Sequence, residues 1–308
     1  MREPDLLRAL GDVVASVQAL HNGRAFAVLL TTFAAAGLLV AGAGSALARG
    51  GSWSAPLQAG AALLVAFYGG NAAGILSMDA ARGRPVRDIP AALLASLRCA
   101  HRLLLALGVV FAGAAVGAGL LYALLWASRE AVSGAVLGPL IFGLAVPVGV
   151  LAVGLAALAL FAVVVPLAAP AVWSGARPWQ VVRSLVSVVR RRLPSALVLM
   201  AALGALTAGI GAAATGVVMV GGRVVSELGV AVVGIDMPAR QLMAGLFGYG
   251  LRTLGSVGVP QGSSGHAAAA WVGGGVVFAI ALLLPTLVYL RGTCAVYLAL
   301  AEPRPAGR

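Results

Sequence analysis

The chain reads as an all-α protein, a polytopic transmembrane helical bundle of about six spans. A 61% hydrophobic content beside 10% charged residues over 308 positions lies far outside the soluble range. Several stretches of about 20 or more residues carry no charge, the length an α-helix needs to cross about 30 Å of hydrocarbon. These runs also lack the strict apolar/polar alternation of barrel strands. The third observation is the placement of arginine, which supplies all 21 basic residues and which the order of the spans sorts onto two faces.

The first 24 residues form an amphipathic helix, with Leu6, Leu10, Val13, Val14, Val17 and Leu20 on one side and Asp5, Arg8, Asp12 and Gln18 elsewhere. The first span follows over Ala25 to Ala48. Its end, Ala46-Leu47-Ala48, has the small-residue pattern of a signal-peptidase site, but the charged segment before it is long and the apolar run exceeds a signal core, so a retained span is expected. The second span runs from about Leu57 to Met78 and the third from Leu103 to Ala127. The apolar run from Gly134 to Trp173 is read as one long span, about Ile141 to Leu167, with an irregular start near Pro139 and an irregular end near Pro166 and Pro170. The fifth covers about Ala196 to Val220, and the sixth runs from near Trp271 through Arg291 to about Leu300. Between them lies a Gly-rich connection, 222–270, in which "DMPARQLMAGLFGYGLRTL" reads as a helix capped by Asp236 with Pro238 in its first turn. The membrane domain thus spans 25–301 and leaves a tail of 302–308.

With the N-terminus inside, 16 of the 21 arginines fall on the cytoplasmic side and 5 on the other. That asymmetry predicts six spans with both termini cytoplasmic. Splitting 134–173 into two spans would put the two arginine-rich connections on opposite faces. The composition, with Ala, Gly, Val and Arg dominant and no Lys, points to a GC-rich bacterial source and hence to an inner membrane.

The two arginine-rich connections resemble each other. The first has Gly83, Pro85, Ser96-Leu97 and Arg102-Leu103; the second has Gly175, Pro178, Ser184-Leu185 and Arg192-Leu193. Each follows a span arriving at the cytoplasm and precedes one leaving it, a loose parallel repeat. Both read as interfacial amphipathic helices. In the first, Ile89, Leu93, Leu97 and Leu104 form a stripe away from Arg98 and Arg102; in the second, Trp179, Val182, Val186, Val189 and Leu193 lie opposite Gln180, Arg183, Ser187, Arg190 and Arg191. Such helices lie along a membrane with their arginines level with lipid phosphates, each contributing roughly 1 kcal/mol of attraction to an anionic leaflet. Arg98, Arg102, Arg183, Arg190, Arg191, Arg192 and the in-span Arg291 are therefore the candidate lipid or partner contacts. Nucleic acid is excluded as a partner, because the arginines are tethered at the bilayer without an aromatic platform.

The layout of six spans with "VVVPLAAPAVWSGARPWQVVRSLVSVVRRRLPSAL" after the fourth and "YLRGTCAVYLAL" ending the last resembles a broad group of bacterial membrane domains. These include the one attached to some glycerophosphodiester phosphodiesterases. The likeness covers about residues 25 to 300. It implies a fold and no activity, and it carries over no functional residues.

Catalytic groups are not expected. No Asp, Glu, Lys or His falls inside the first five spans, so proton relays and intramembrane proteolysis lack their parts. His21, His101 and His266 show no metal-ligand spacing with Cys99 or Cys294, which are expected as free thiols, and no cofactor is implied. Asn71, mid-span in "YGGNAAG", is the candidate intramembrane polar contact. Asp79 is expected to pair with Arg82, and Gly70/Gly74 and Gly113/Gly117 to permit close helix packing. The expected function is a non-catalytic inner-membrane accessory, scaffold or assembly component that meets anionic lipid, a membrane-protein partner or a second copy of itself. The alternative is a permease for a small or lipidic solute.

Overall fold

The structure, a computed structural model, describes residues 3–48, 50, 53–233 and 265–301. The helix expected over 236–254 and the tail 302–308 lie outside these. Among the described residues the fold is all-α. Its elements are α1 (Glu3–Val14), a 3₁₀ segment (Ala15–His21), α2 (Gly23–Ala48), α3 (Ser54–Ala81), α4 (Ile89–Ala127), α5 (Glu130–Ala159), a π-helical turn (Leu160–Val164), α6 (Val165–Trp173), α7 (Pro178–Val233) and α8 (Gly265–Ala301). Six of these stretches are long and apolar enough to cross a membrane: Gly23–Gly44, Ser54–Ala81, Ile89–Ala127, Val136–Trp173, Pro178–Gly229 and Ala279–Ala301.

The amphipathic N-terminal segment is two elements. After Val14 the chain tightens to a 3₁₀ helix, whose three residues per turn stack Ser16 and Ala19, both buried, with Asn22 beyond them. Asn22 then caps α2: its Oδ1 accepts the Ala25 amide at 3.2 Å, and its carbonyl accepts the Phe26 amide at 3.0 Å.

The fourth span is one continuous run, with its irregularities displaced from the prolines. Gly134 (φ 80°, ψ 173°) breaks the helical path five residues before Pro139. At the other end the π turn lies just before Pro166. Proline has no amide to give the carbonyl four residues back, and its ring crowds that carbonyl, so widening the preceding turn relieves the clash. The Val165 amide accordingly reaches back five residues, to the Leu160 carbonyl.

The first basic connection does not form a separate surface helix. It is the beginning of α4, which runs unbroken for 39 residues, about 58 Å of rise. The second keeps a boundary: within α7 Arg192 is non-helical (φ −138°, ψ 20°), two residues before Pro194. Both preceding spans end on a glycine with positive φ, Gly83 (66°) and Gly175 (95°). At the first, the Gly83 amide bonds the Ala80 carbonyl at 3.2 Å and the Arg84 amide bonds the Asp79 carbonyl at 3.0 Å, a complete Schellman cap. At the second, the Gly175 amide bonds the Val172 carbonyl at 2.9 Å.

The chain divides into two compact units. One comprises the first residues to Val13, Arg98–Ala201 and the chain from Thr293; the other comprises Val14–Leu97 and Ala202–Gly292. The core of the second joins Ala25, Val28 and Leu29 of α2, Ala72, Ala73 and Leu76 of α3, Ala92 of α4, and Leu283 and Leu287 of α8. The buried residues of the first include Ala100, Leu103 and Ala106 of α4, Leu167 and Ala171 of α6, Val181, Leu185, Val188 and Leu199 of α7, and Leu300 of α8.

The faces that pack against the protein are separate from the apolar stripes expected to enter the membrane. On α4 the residues that go inside are Ala92, Ser96, Ala100, Leu103 and Ala106, while Leu93, Leu97 and Leu104 are exposed. On α7 the buried row is Val181, Leu185 and Val188, and Trp179 and Val186 point outward. Lipid tails are as apolar as leucine, so large side chains gain little by turning inward. Small residues set which faces approach closely.

At Gly69 α3 comes close against α2. A methyl group there would sit 2.0 Å from Oγ1 of Thr32, which is itself buried and bonded to the Val28 carbonyl at 2.6 Å. At Gly70, Gly113 and Gly117 an added methyl meets nothing within 4 Å. These glycines therefore do not mediate packing within the described chain. Gly69→Val is expected to lower stability by about 1–3 kcal/mol, and Gly113→Ala to leave it unchanged. Melting of both purified variants in neutral detergent checks this.

Candidate functional site

At the end where α2 begins and α3 finishes, the segment 82–88 is held by a charge network. Asp79, on the last turns of α3, accepts two hydrogen bonds from Arg87, a partner that helical spacing does not suggest, Nε to Oδ2 at 2.6 Å and Nη2 to Oδ1 at 2.8 Å. This bidentate fork holds a carboxylate that is 8% exposed, with Arg87 at 41%. The Schellman turn at Gly83 folds the connection back so that position 87 reaches Asp79, a contact helical spacing cannot anticipate. Arg24, in the first turn of α2, binds the other side of the connection. Its Nη1 donates to the carbonyls of Val86 and of Arg87, the latter at 3.2 Å, and its Nη2 lies 3.3 Å from Asp88 Oδ1. Asp88 immediately precedes α4, where a negative charge suits the positive helix end. Sequence reasoning missed Arg24, Arg87 and Asp88; the signal was their place in a turn between a glycine cap and a helix start.

Beside this network is a cleft of about 750 Å³, lined by Gln18, His21, Asn22, Arg24, Val86 and Arg291 among others. Arg291 is half-buried, and among the described residues its guanidinium has no hydrogen-bond or ion-pair partner. The in-span arginine of α8 is thus brought to the polar start of α2.

The other candidate arginines separate into two kinds. Arg183, Arg190 and Arg191 share one exposed face of α7 with Gln180 and Ser187. Arg192 lies in register with the buried row of Val181, Leu185 and Val188 and is half-buried. Its Nη1 donates to the Leu300 carbonyl at 2.9 Å, in the last turn of α8 as described. A guanidinium donor makes this a charge-assisted hydrogen bond that ties α7 to α8. Arg98 is exposed on α4 and Arg102 half-buried.

Asn71 is 5% exposed, and its Nδ2 donates to the Phe67 carbonyl of its own helix at 2.8 Å. Ser77 and Thr207 do likewise to carbonyls four residues back. Ser96 instead reaches from α4 to the Tyr68 carbonyl of α3, at 2.6 Å. Among the described residues Cys99 and Cys294 form no disulfide. Among the described residues no group of His, Cys, Asp or Glu could hold a metal ion.

No family model, curated protein or solved structure matches the chain significantly.

Asp79→Asn should weaken the fork to Arg87 and lower stability by about 1–3 kcal/mol, measurable as a drop in melting temperature. Arg192→Met should cost about 1–3 kcal/mol through loss of its hydrogen bond to the Leu300 carbonyl, whereas Arg191→Met on the exposed face should be neutral. Comparing the two neighbours by thermal melting separates that bond from general charge loss.

Proposed function

We propose that this integral membrane protein is a non-catalytic accessory or scaffold component of a bacterial inner membrane, with both termini cytoplasmic, and that it holds anionic lipid headgroups along the start of α7. The supporting observation is the three-way division of that helix. Val181, Leu185 and Val188 are buried against the protein; Trp179 and Val186 are exposed and apolar; Arg183, Arg190 and Arg191 are exposed and cationic. A helix already anchored on one side, with an outward apolar face adjoining a cationic one, has the composition of an interfacial helix whose apolar side enters the acyl boundary. Trp179 suits that level, since an indole has both an apolar body and a polar N–H. The break at Arg192 and Pro194 lets this stretch leave the axis of the span that follows. Less supports the alternative of a permease. Asn71, the residue on which a polar path would be built, gives an amide hydrogen bond to its own helix.

The test uses the full chain in nanodiscs of mixed neutral and anionic lipid, with the lipid retained on purification quantified. The triple variant Arg183→Gln, Arg190→Gln and Arg191→Gln should retain clearly less anionic lipid at unchanged melting temperature, since each arginine contributes roughly 1 kcal/mol to such binding. Unchanged retention would remove the basis of the proposal.

A further inference from the structure

The cleft beside α2 has features that the α7 surface lacks. Its polar lining brings two guanidinium groups and an imidazole, Arg24, Arg291 and His21, around about 750 Å³ of space, with Gln18 and Asn22 adding amide groups. Among the described residues no carboxylate lines it. Of the nearby acids, Asp79 accepts both bonds of the Arg87 fork, and Asp88, which is 78% exposed, pairs with Arg24 at 3.3 Å, so that Arg291 is the cation of the cleft with no acidic partner among the described residues. Arg24 is held by the Val86 and Arg87 carbonyls, so its position is set before any ligand arrives.

Arg291 is the unbalanced group. It is a half-buried guanidinium on an otherwise apolar helix, and it has no counter-charge among the described residues. Removing such a charge from water is costly unless an anion or hydrogen-bond acceptors offset it. A guanidinium offers paired donors in a planar fork, the arrangement that matches two oxygens of a phosphate. The start of α2 adds positive potential from the same side.

We propose that this cleft is a binding site for a phosphate group carried on a small organic moiety, with Arg291 as the principal ligand, Arg24 as a fixed second cation and His21 at the rim. The volume exceeds that of a bare phosphate and leaves room for the glycerol-sized portion of a headgroup or phosphoester. The site uses no residue of the α7 surface and stands or falls independently of it.

The test measures binding of three probes to the full chain in neutral detergent: short-chain phosphatidic acid, glycerol 3-phosphate and inorganic phosphate. Arg291→Gln and His21→Gln are compared with the wild type, after each variant's melting temperature without ligand confirms that it is folded. The expected result is saturable binding of at least one probe, weakened about tenfold or more by Arg291→Gln, weakened less by His21→Gln, and unaffected by the triple α7 variant. Binding of phosphatidic acid alone identifies a lipid source, and binding of glycerol 3-phosphate a soluble one; either supports the site. If Arg291→Gln does not fold, weakening by His21→Gln, at an exposed position, decides for the site and its absence decides against it. Absence of binding by every probe overturns the proposal. So does equal affinity in wild type and both cleft variants, or loss of binding in the α7 variant alone.

Discussion

A chain this apolar has no water to which its buried backbone can turn, and that constraint governs most of what the structure does. Inside hydrocarbon each amide and carbonyl must find its partner in the protein, which confines the spans to continuous helices. Prolines then become the places where the backbone has to be repaired. Before Pro166 the helix widens into a π turn that carries the Val165 amide back to the Leu160 carbonyl. Before Pro194 it leaves the helical path at Arg192. Hydroxyl and amide side chains obey the same rule, as Thr32, Asn71, Ser77 and Thr207 donate to carbonyls four residues back in their own helices. Polar letters within the spans therefore need not mark a transport path.

With hydrocarbon outside and hydrocarbon inside, the usual advantage of burying large apolar side chains disappears, and approach distance takes its place. Gly69 lets α3 close on Thr32. Gly292 lies so near Leu203 that a methyl group would meet Cδ1 at 2.1 Å. Ser96 combines small size with a hydrogen bond across to the Tyr68 carbonyl. These positions hold neighbouring helices together. The leucines of α4 remain free to meet lipid.

The arginines show how one residue type takes several roles. Arg24 and Arg87 organise the connection between α3 and α4, and Arg192 ties α7 to the Leu300 carbonyl of α8. Arg183, Arg190 and Arg191 stand outward on α7, and Arg291 faces a cleft. A count of arginines on one side of the membrane treats all of these alike. The distinction lies in which of them meets a carbonyl or a carboxylate, and that depends on turns such as the one closed by Gly83.

The amino-acid sequence by itself determined the all-helical class, the number of spans and the approximate place of each, because these follow from the length of uncharged runs against a fixed hydrocarbon thickness. Gly83 and Gly175, which lead the two basic connections in the sequence, take the positive φ that closes the spans before them. The sequence did not reveal which face of each helix packs, since a hydrophobic stripe carries little facing information when the solvent is also hydrophobic. The row that packs on α4, Ala92, Ser96, Ala100, Leu103 and Ala106, is made mostly of small residues and not of the leucines beside it. Nor did it reveal that Asp79 would pair with Arg87, that Arg192 would turn inward, or that Arg291 would meet His21 and Arg24 at one cleft. Those contacts join residues distant along the chain, and only tertiary packing brings such residues within hydrogen-bonding range.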